Sequence, residues 1–136
     1  MNFSSRSTKI IAIFSTKKES TFFHSDGNIE LIYPDLVEIG IDAINSQLFC
    51  MDIEELGKKF AGKITFWGEI DRQNILPFGR PEDVRTAVKR VANAVMKEKF
   101  TGLIAQCEWG IKDSKENIAT VFNEWDARGR GNTYES

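Results

Sequence analysis

A unit of two parts recurs four times along this chain: a short apolar run that ends in polar residues, followed by an amphipathic stretch. The apolar runs cover residues 20–24, 41–45, 63–67 and 102–106. Runs of this length, bounded by turn residues, are typical of buried strands, and strands that alternate with helices pair in parallel. The chain is therefore predicted to be an α/β fold of four parallel βα units with right-handed crossovers. Two architectures have this order: an open doubly wound sheet, or half of a (β/α)8 barrel.

The stretches between these runs carry helix signals. Asp52 and Glu55 have the spacing of a capping box, and Pro81 suits the first turn of the next helix. That helix has one apolar stripe, formed by Val84, Ala87, Val88, Val91, Ala92 and Val95. The last helix is expected to bury Ile118, Val121, Phe122 and Trp125. A further helix is predicted over residues 8–18, and a polar, flexible tail over residues 128–136.

Composition excludes several classes of function. The net charge of −2 leaves no basic field for nucleic acid. No apolar run approaches the roughly 20 residues that span a bilayer. The 136 residues, 41% of them hydrophobic, suffice for one domain. Two cysteines, Cys50 and Cys107, do not make a disulfide framework, which favours a reducing, cytoplasmic environment.

Polar side chains with catalytic or metal-binding chemistry follow the apolar runs. His24 ends the first run and Asp26 follows it, and Gly27 allows the backbone to turn behind them. Cys107 and Glu108 come after the fourth run. The carboxyl ends of parallel strands meet at one edge of a sheet, where α/β enzymes carry their active sites. These residues are therefore predicted to line one site.

Six stretches of the sequence resemble the C-terminal half of the uroporphyrinogen decarboxylase superfamily, which includes the tetrapyrrole decarboxylase itself and corrinoid-dependent methyltransferases. They are residues 23–28 (FHSDGN), 34–42 (PDLVEIGID), 66–71 (FWGEID), 76–79 (LPFG), 81–84 (PEDV) and 116–118 (ENI). The resemblance spans residues 20–126 and implies the family's (β/α)8 barrel, with the four strands as its fifth to eighth. It assigns residues 20–127 to a half-barrel, and residues 1–19, which match least, to a truncated or misassigned start.

The resemblance also implies a metal. In the methyltransferase branch, a His-x-Cys motif at the fifth strand and a Cys after the eighth bind zinc, which activates a thiol substrate. The expected Zn²⁺ ligands here are His24, Asp26 and Cys107, with a carboxylate in place of the middle thiolate. An alternative stays open, in which His24 and Asp26 hydrogen-bond a polar substrate and Cys107 is a small buried residue.

Five more roles are expected at the same site. Asp71 lies in the segment that lines the tetrapyrrole cleft of the decarboxylase, and Glu108 adjoins the predicted cysteine ligand, so both are expected to be acid/base catalysts. Glu69, Gln73 and Trp109 are expected to bind the substrate. Structural alternatives remain, since Asp71 can brace its loop and Trp109 can serve packing.

The resemblance implies that the full-length parent is an enzyme, of which this chain would be a fragment with no activity of its own. Two of three zinc positions favour the methyltransferase branch. Such an enzyme moves a methyl group between a corrinoid and a thiol, with a corrinoid protein as partner. The alternative is a uroporphyrinogen decarboxylase, which acts on tetrapyrrole acetate side chains in porphyrin biosynthesis and needs no cofactor. Residues 107–110 (CEWG) replace the Gly-His-Gly turn of that enzyme, which disfavours it. A third hypothesis is an inactive half-barrel fragment. Separately, two copies of a half-barrel could restore eight strands as a homodimer.

Overall fold

The computed structural model describes residues 20–96 and 102–129. Its strands are β1 (Phe22–Ser25), β2 (Ala43–Ser46), β3 (Thr65–Glu69) and β4 (Leu103–Gln106). They form one sheet in the order β1-β2-β3-β4, and all neighbours are parallel. The predicted α/β fold of parallel βα units is confirmed, although the first three strands begin two residues later than their apolar runs. The helix predicted over residues 8–18 lies outside the described residues.

The helices are α1 (Tyr33–Glu38), α2 (Ile53–Phe60), α3 (Ile75–Phe78), α4 (Pro81–Val95) and α5 (Lys115–Gly129). Short 3₁₀ turns at Glu30–Ile32 and Leu48–Cys50 precede α1 and α2. Helix α2 begins at its predicted cap, where the Asp52 Oδ1 accepts the Glu55 N–H at 3.1 Å. Helix α3 was not predicted, and α5 extends two residues into the predicted tail. No helix of the described part of the chain is long and apolar enough to cross a membrane.

One face of the sheet is covered by helices and carries the core. Ile44 and Phe66 are fully buried on this face. Tyr33 of α1 stacks on Phe66, and its hydroxyl oxygen lies 2.6 Å from the Ser46 Oγ. The helices therefore seal this face and leave the carboxyl edge of the sheet for polar residues.

The opposite face of the sheet carries exposed side chains. The strand register places Phe22, His24, Asn45, Trp67 and Ile104 on this face. Phe22 is 59% exposed and Ile104 is 38% exposed. In a closed (β/α)8 barrel, the face away from the helices is the interior. The described residues are thus organised as part of such a barrel.

The helices pack closely on one another. The apolar stripe predicted for α4 is buried, as Val84, Ala87, Val88, Val91, Ala92 and Val95 show. Gly57 of α2 lies against the backbone of α4, and a Cβ at this position would be 1.9 Å from the carbonyl oxygen of Ala94. Only glycine fits this contact without a shift of one helix.

Helix α5 differs from its predicted orientation. Asn117 is 1% exposed, and its Nδ2 donates to the carbonyl oxygens of Leu76 at 3.1 Å and Gly79 at 2.8 Å. These bonds fix the rotation of α5 about its axis. Phe122, which was predicted to be buried, is 51% exposed as a result. The hydrogen bonds of Asn117 therefore determine which side of α5 faces the core.

Candidate active site

Arg72 joins the loops that follow three of the strands. Its Nη1 lies 2.5 Å from the Glu108 Oε1, its Nε 3.5 Å from the Glu69 Oε1 and its Nη2 3.6 Å from the Asp26 Oδ1. These carboxylates come from the ends of β4, β3 and β1, so residues far apart in sequence converge on one guanidinium. The Nε2 of His24 lies 3.7 Å from the Asp26 Oδ1. The structure therefore brings four predicted site residues together.

The convergence depends on a residue that the sequence reasoning missed. Arg72 follows Glu69 by three residues, a spacing that places an arginine within reach of a carboxylate. This was the available signal, but the contacts with Asp26 and Glu108 span much longer sequence distances. Arg72 therefore belongs to the site, with its side chain 29% exposed.

Glu69 is the most perturbed carboxyl group of the site. The residue is 8% exposed, and its Oε2 has no hydrogen-bond partner among the described residues. Burial raises the pKa of Glu69 to about 6, and the negative charges of Glu108 and Asp26 add to this effect, while Arg72 opposes it. Glu69 can therefore exchange a proton close to neutral pH, as a general acid or base must.

The hydrogen bonds of Asn45 determine which ring nitrogen of a neutral His24 carries the proton. The Asn45 Nδ2 donates to the Trp67 carbonyl oxygen at 3.1 Å and to the Gln106 Oε1 at 2.8 Å. Both N–H groups of the amide are thus used, so its Oδ1 is the acceptor for the Nδ1 of His24. A neutral His24 then carries its proton on Nδ1. The Nε2, on the side of Asp26, is left as the basic nitrogen.

Asp71 accepts hydrogen bonds from the backbone of its own loop. Its Oδ1 accepts the N–H groups of Gln73 and Asn74, both at 3.0 Å. This is the loop-bracing role that the sequence left open as an alternative. Asp71 and Gln73 also line a cavity of about 30 Å³ beside Glu69. Their predicted catalytic and substrate-binding roles stay predictions.

Trp109 lies on a groove next to the carboxylate cluster. It is 53% exposed and packs edge-to-face on Phe122, with the ring centroids 5.8 Å apart. The same groove is lined by Arg72, Phe78 and Glu108. An aromatic side chain in this position can contact an apolar part of a substrate, so substrate binding by Trp109 stays a prediction.

The residues predicted to bind zinc do not form a metal site together. Among residues 20–96 and 102–129, no three His, Cys, Asp or Glu side chains lie close enough to hold one metal ion. Strands β2 and β3 lie between β1, which carries His24, and β4, which directly precedes Cys107. Burial raises the pKa of Cys107 to about 11, with the charges of Asp113 and Glu69 adding to it. The described residues therefore do not bring together the three side chains that the resemblance assigns to a zinc ion.

Comparison with known proteins gives one structural relationship. No family model and no curated protein matches the sequence. Among solved structures, a methyltransferase from Methanosarcina mazei has the same fold, with a TM-score of 0.64 and 16% sequence identity. The match covers 96% of this chain and 36% of that chain. The relationship therefore concerns the fold, and this chain spans about a third of the length of its structural neighbour.

Proposed function

We propose that this chain is a methyltransferase-like member of the uroporphyrinogen decarboxylase superfamily, and that it moves a methyl group between a corrinoid and a thiol. The observation that carries the proposal is the fold shared with the M. mazei methyltransferase along nearly the whole chain. The sequence motifs that resemble the superfamily support it, since residues 23–28 and 66–71 run from β1 and β3 into the carboxyl edge of the sheet. The chemistry is assigned to that edge, because parallel βα folds place their active sites there.

His24 is proposed as the base that prepares the thiol. A thiol attacks far faster as a thiolate, so its proton must be removed first. The Nε2 of His24 is free to accept this proton, because the Nδ1 proton is bonded to Asn45. The thiolate sulfur then forms a bond to the methyl carbon as the cobalt–carbon bond of the methylated corrinoid breaks. The electron pair of that bond stays with the corrinoid, and the proton stays on the imidazole.

The carboxylate cluster borders the Nε2 of that histidine. The Asp26 Oδ1 lies 3.7 Å from the Nε2 of His24. Arg72 holds Asp26 in turn, with 3.6 Å between the charged atoms. The proposal therefore assigns proton transfer to His24 and orientation of Asp26 to Arg72.

The test uses methylcobalamin in place of a corrinoid protein, and 2-mercaptoethanol as the thiol. We expect the chain to accelerate the thiol-dependent loss of methylcobalamin, followed by its absorbance. The His24→Gln variant should lose this activity, because it lacks the proposed base and the sequence has no second histidine to replace it. The Glu82→Gln variant is the control, since Glu82 lies on the exposed part of α4.

Two results would overturn the proposal. One is a rate no greater than that of buffer at every thiol concentration. The other is decarboxylation of uroporphyrinogen by the same preparation without loss of methylcobalamin, which would favour the decarboxylase instead.

A further inference from the structure

We infer that the cavity beside Glu69 binds a protonated primary amine, whose N–H groups pair with the buried Glu69 carboxylate. The cavity is lined by Glu69, Asp71 and Arg72 and has a volume of about 30 Å³. This binding does not depend on methyl transfer, and the ligand is defined by its ammonium group alone.

The first support is the unpaired oxygen of Glu69. The side chain is 9% exposed, and its Oε2 lacks a hydrogen-bond partner among the described residues. A buried carboxylate oxygen without a donor is costly, and a bound water or ion is one of the ways in which native proteins satisfy such an atom. The missing partner must be a donor, because an ionised carboxylate only accepts hydrogen bonds.

The second support is the balance of charge. The carboxylates of Asp26, Glu69 and Glu108 all lie within 3.6 Å of the Arg72 guanidinium, and Asp71 lines the same cavity. Among the described residues, one guanidinium is thus paired with three carboxylates, and Asp71 adds a fourth carboxylate to the cavity wall. A cationic ligand relieves this excess, whereas an anionic ligand would increase it.

The volume of the cavity and the need for N–H donors restrict which cations can bind there. A cavity of this volume accommodates a group about as large as a water molecule. An ammonium head fits, with its alkyl part directed to solvent, whereas a quaternary ammonium is larger and has no N–H to donate. A metal ion is disfavoured, because the described residues contain no group of three suitable ligands.

The test is an NMR titration of the chain with ethylammonium chloride, at about pH 8 so that Glu69 is ionised. We expect saturable shifts of the backbone amides of residues 69–74. Tetramethylammonium chloride at the same ionic strength should give no saturable shift. The Glu69→Gln variant should bind ethylammonium at least about tenfold more weakly, since a charged hydrogen bond is lost.

Two further variants distinguish binding at Glu69 from a general effect of charge. Arg72→Met should bind ethylammonium more tightly, because it removes the cation that competes for the carboxylates. Glu82→Gln, in which an exposed glutamate paired with Arg85 loses its charge, should bind as the wild type does. Equal responses to the two ammonium salts would mean that only charge screening is observed. That result overturns the inference, and so does unchanged ethylammonium binding by Glu69→Gln. The absence of any saturable shift also overturns it, because water would then be the occupant of the cavity.

Discussion

The pH dependence of stability should carry the signature of Glu69. This carboxyl group is buried and has a pKa of about 6 in the folded chain, against an ordinary value of 4.5. At about 1.4 kcal/mol per pKa unit, the difference corresponds to about 2 kcal/mol. The side chain is only 9% exposed, so solvent screening reduces this figure little.

The sign follows from where the proton is bound. Between pH 4.5 and about 6, folded Glu69 keeps a proton that the unfolded chain has released. Stability therefore falls as the pH rises through this window, and it levels off above it. The Glu69→Gln variant has no such proton. The free energy of unfolding of Glu69→Gln minus that of the wild type should therefore increase by about 2 kcal/mol between about pH 4 and about pH 7.

The assay is urea-induced unfolding of both proteins across this pH range. Glu54→Gln is a matched control, because Arg90 binds Glu54 at 2.6 and 2.8 Å and holds its pKa below the ordinary value. For Glu54 the sign is reversed, so Glu54→Gln should lose stability relative to the wild type as the pH rises. A difference between Glu69→Gln and the wild type that stays constant with pH would refute the reasoning.

Three other variants test the packing and the thiol. Gly57→Ala should destabilise the chain by about 1–3 kcal/mol in thermal unfolding, because the new Cβ would overlap the backbone of α4. Gly129→Ala is the control and should not destabilise the chain, because the space around Gly129 is open. Asn117→Ala should cost about 1–3 kcal/mol, since two buried carbonyl groups lose their donor. With Cys50 replaced by Ser, Cys107 should react with iodoacetamide at about pH 8 roughly a hundredfold more slowly than an ordinary thiol, because its pKa is about 11 rather than 9.0.

The order of the four strands and of the longer helices was predictable because its signals are local, whereas the short helix α3 was missed. Apolar runs, the Asp52 cap and the stripe of α4 lie within a few residues of the elements they specify. The orientation of α5 was not predictable in this way. It depends on bonds from Asn117 to carbonyl groups about 40 positions earlier in the chain. The predicted burial of Phe122 is wrong for that reason.

The sequence by itself determined that polar residues follow the strands, and parallel pairing then places His24, Asp26, Glu69 and Glu108 at one edge. Only the tertiary structure decided how these groups interact. It placed Arg72 among three carboxylates and buried Glu69 with no partner for its Oε2 among the described residues. It also left His24, Asp26 and Cys107 without a shared metal site in the part of the chain that the structure describes. Desolvation and the distances between charges depend on residues brought together from separate βα units, and no local pattern records them.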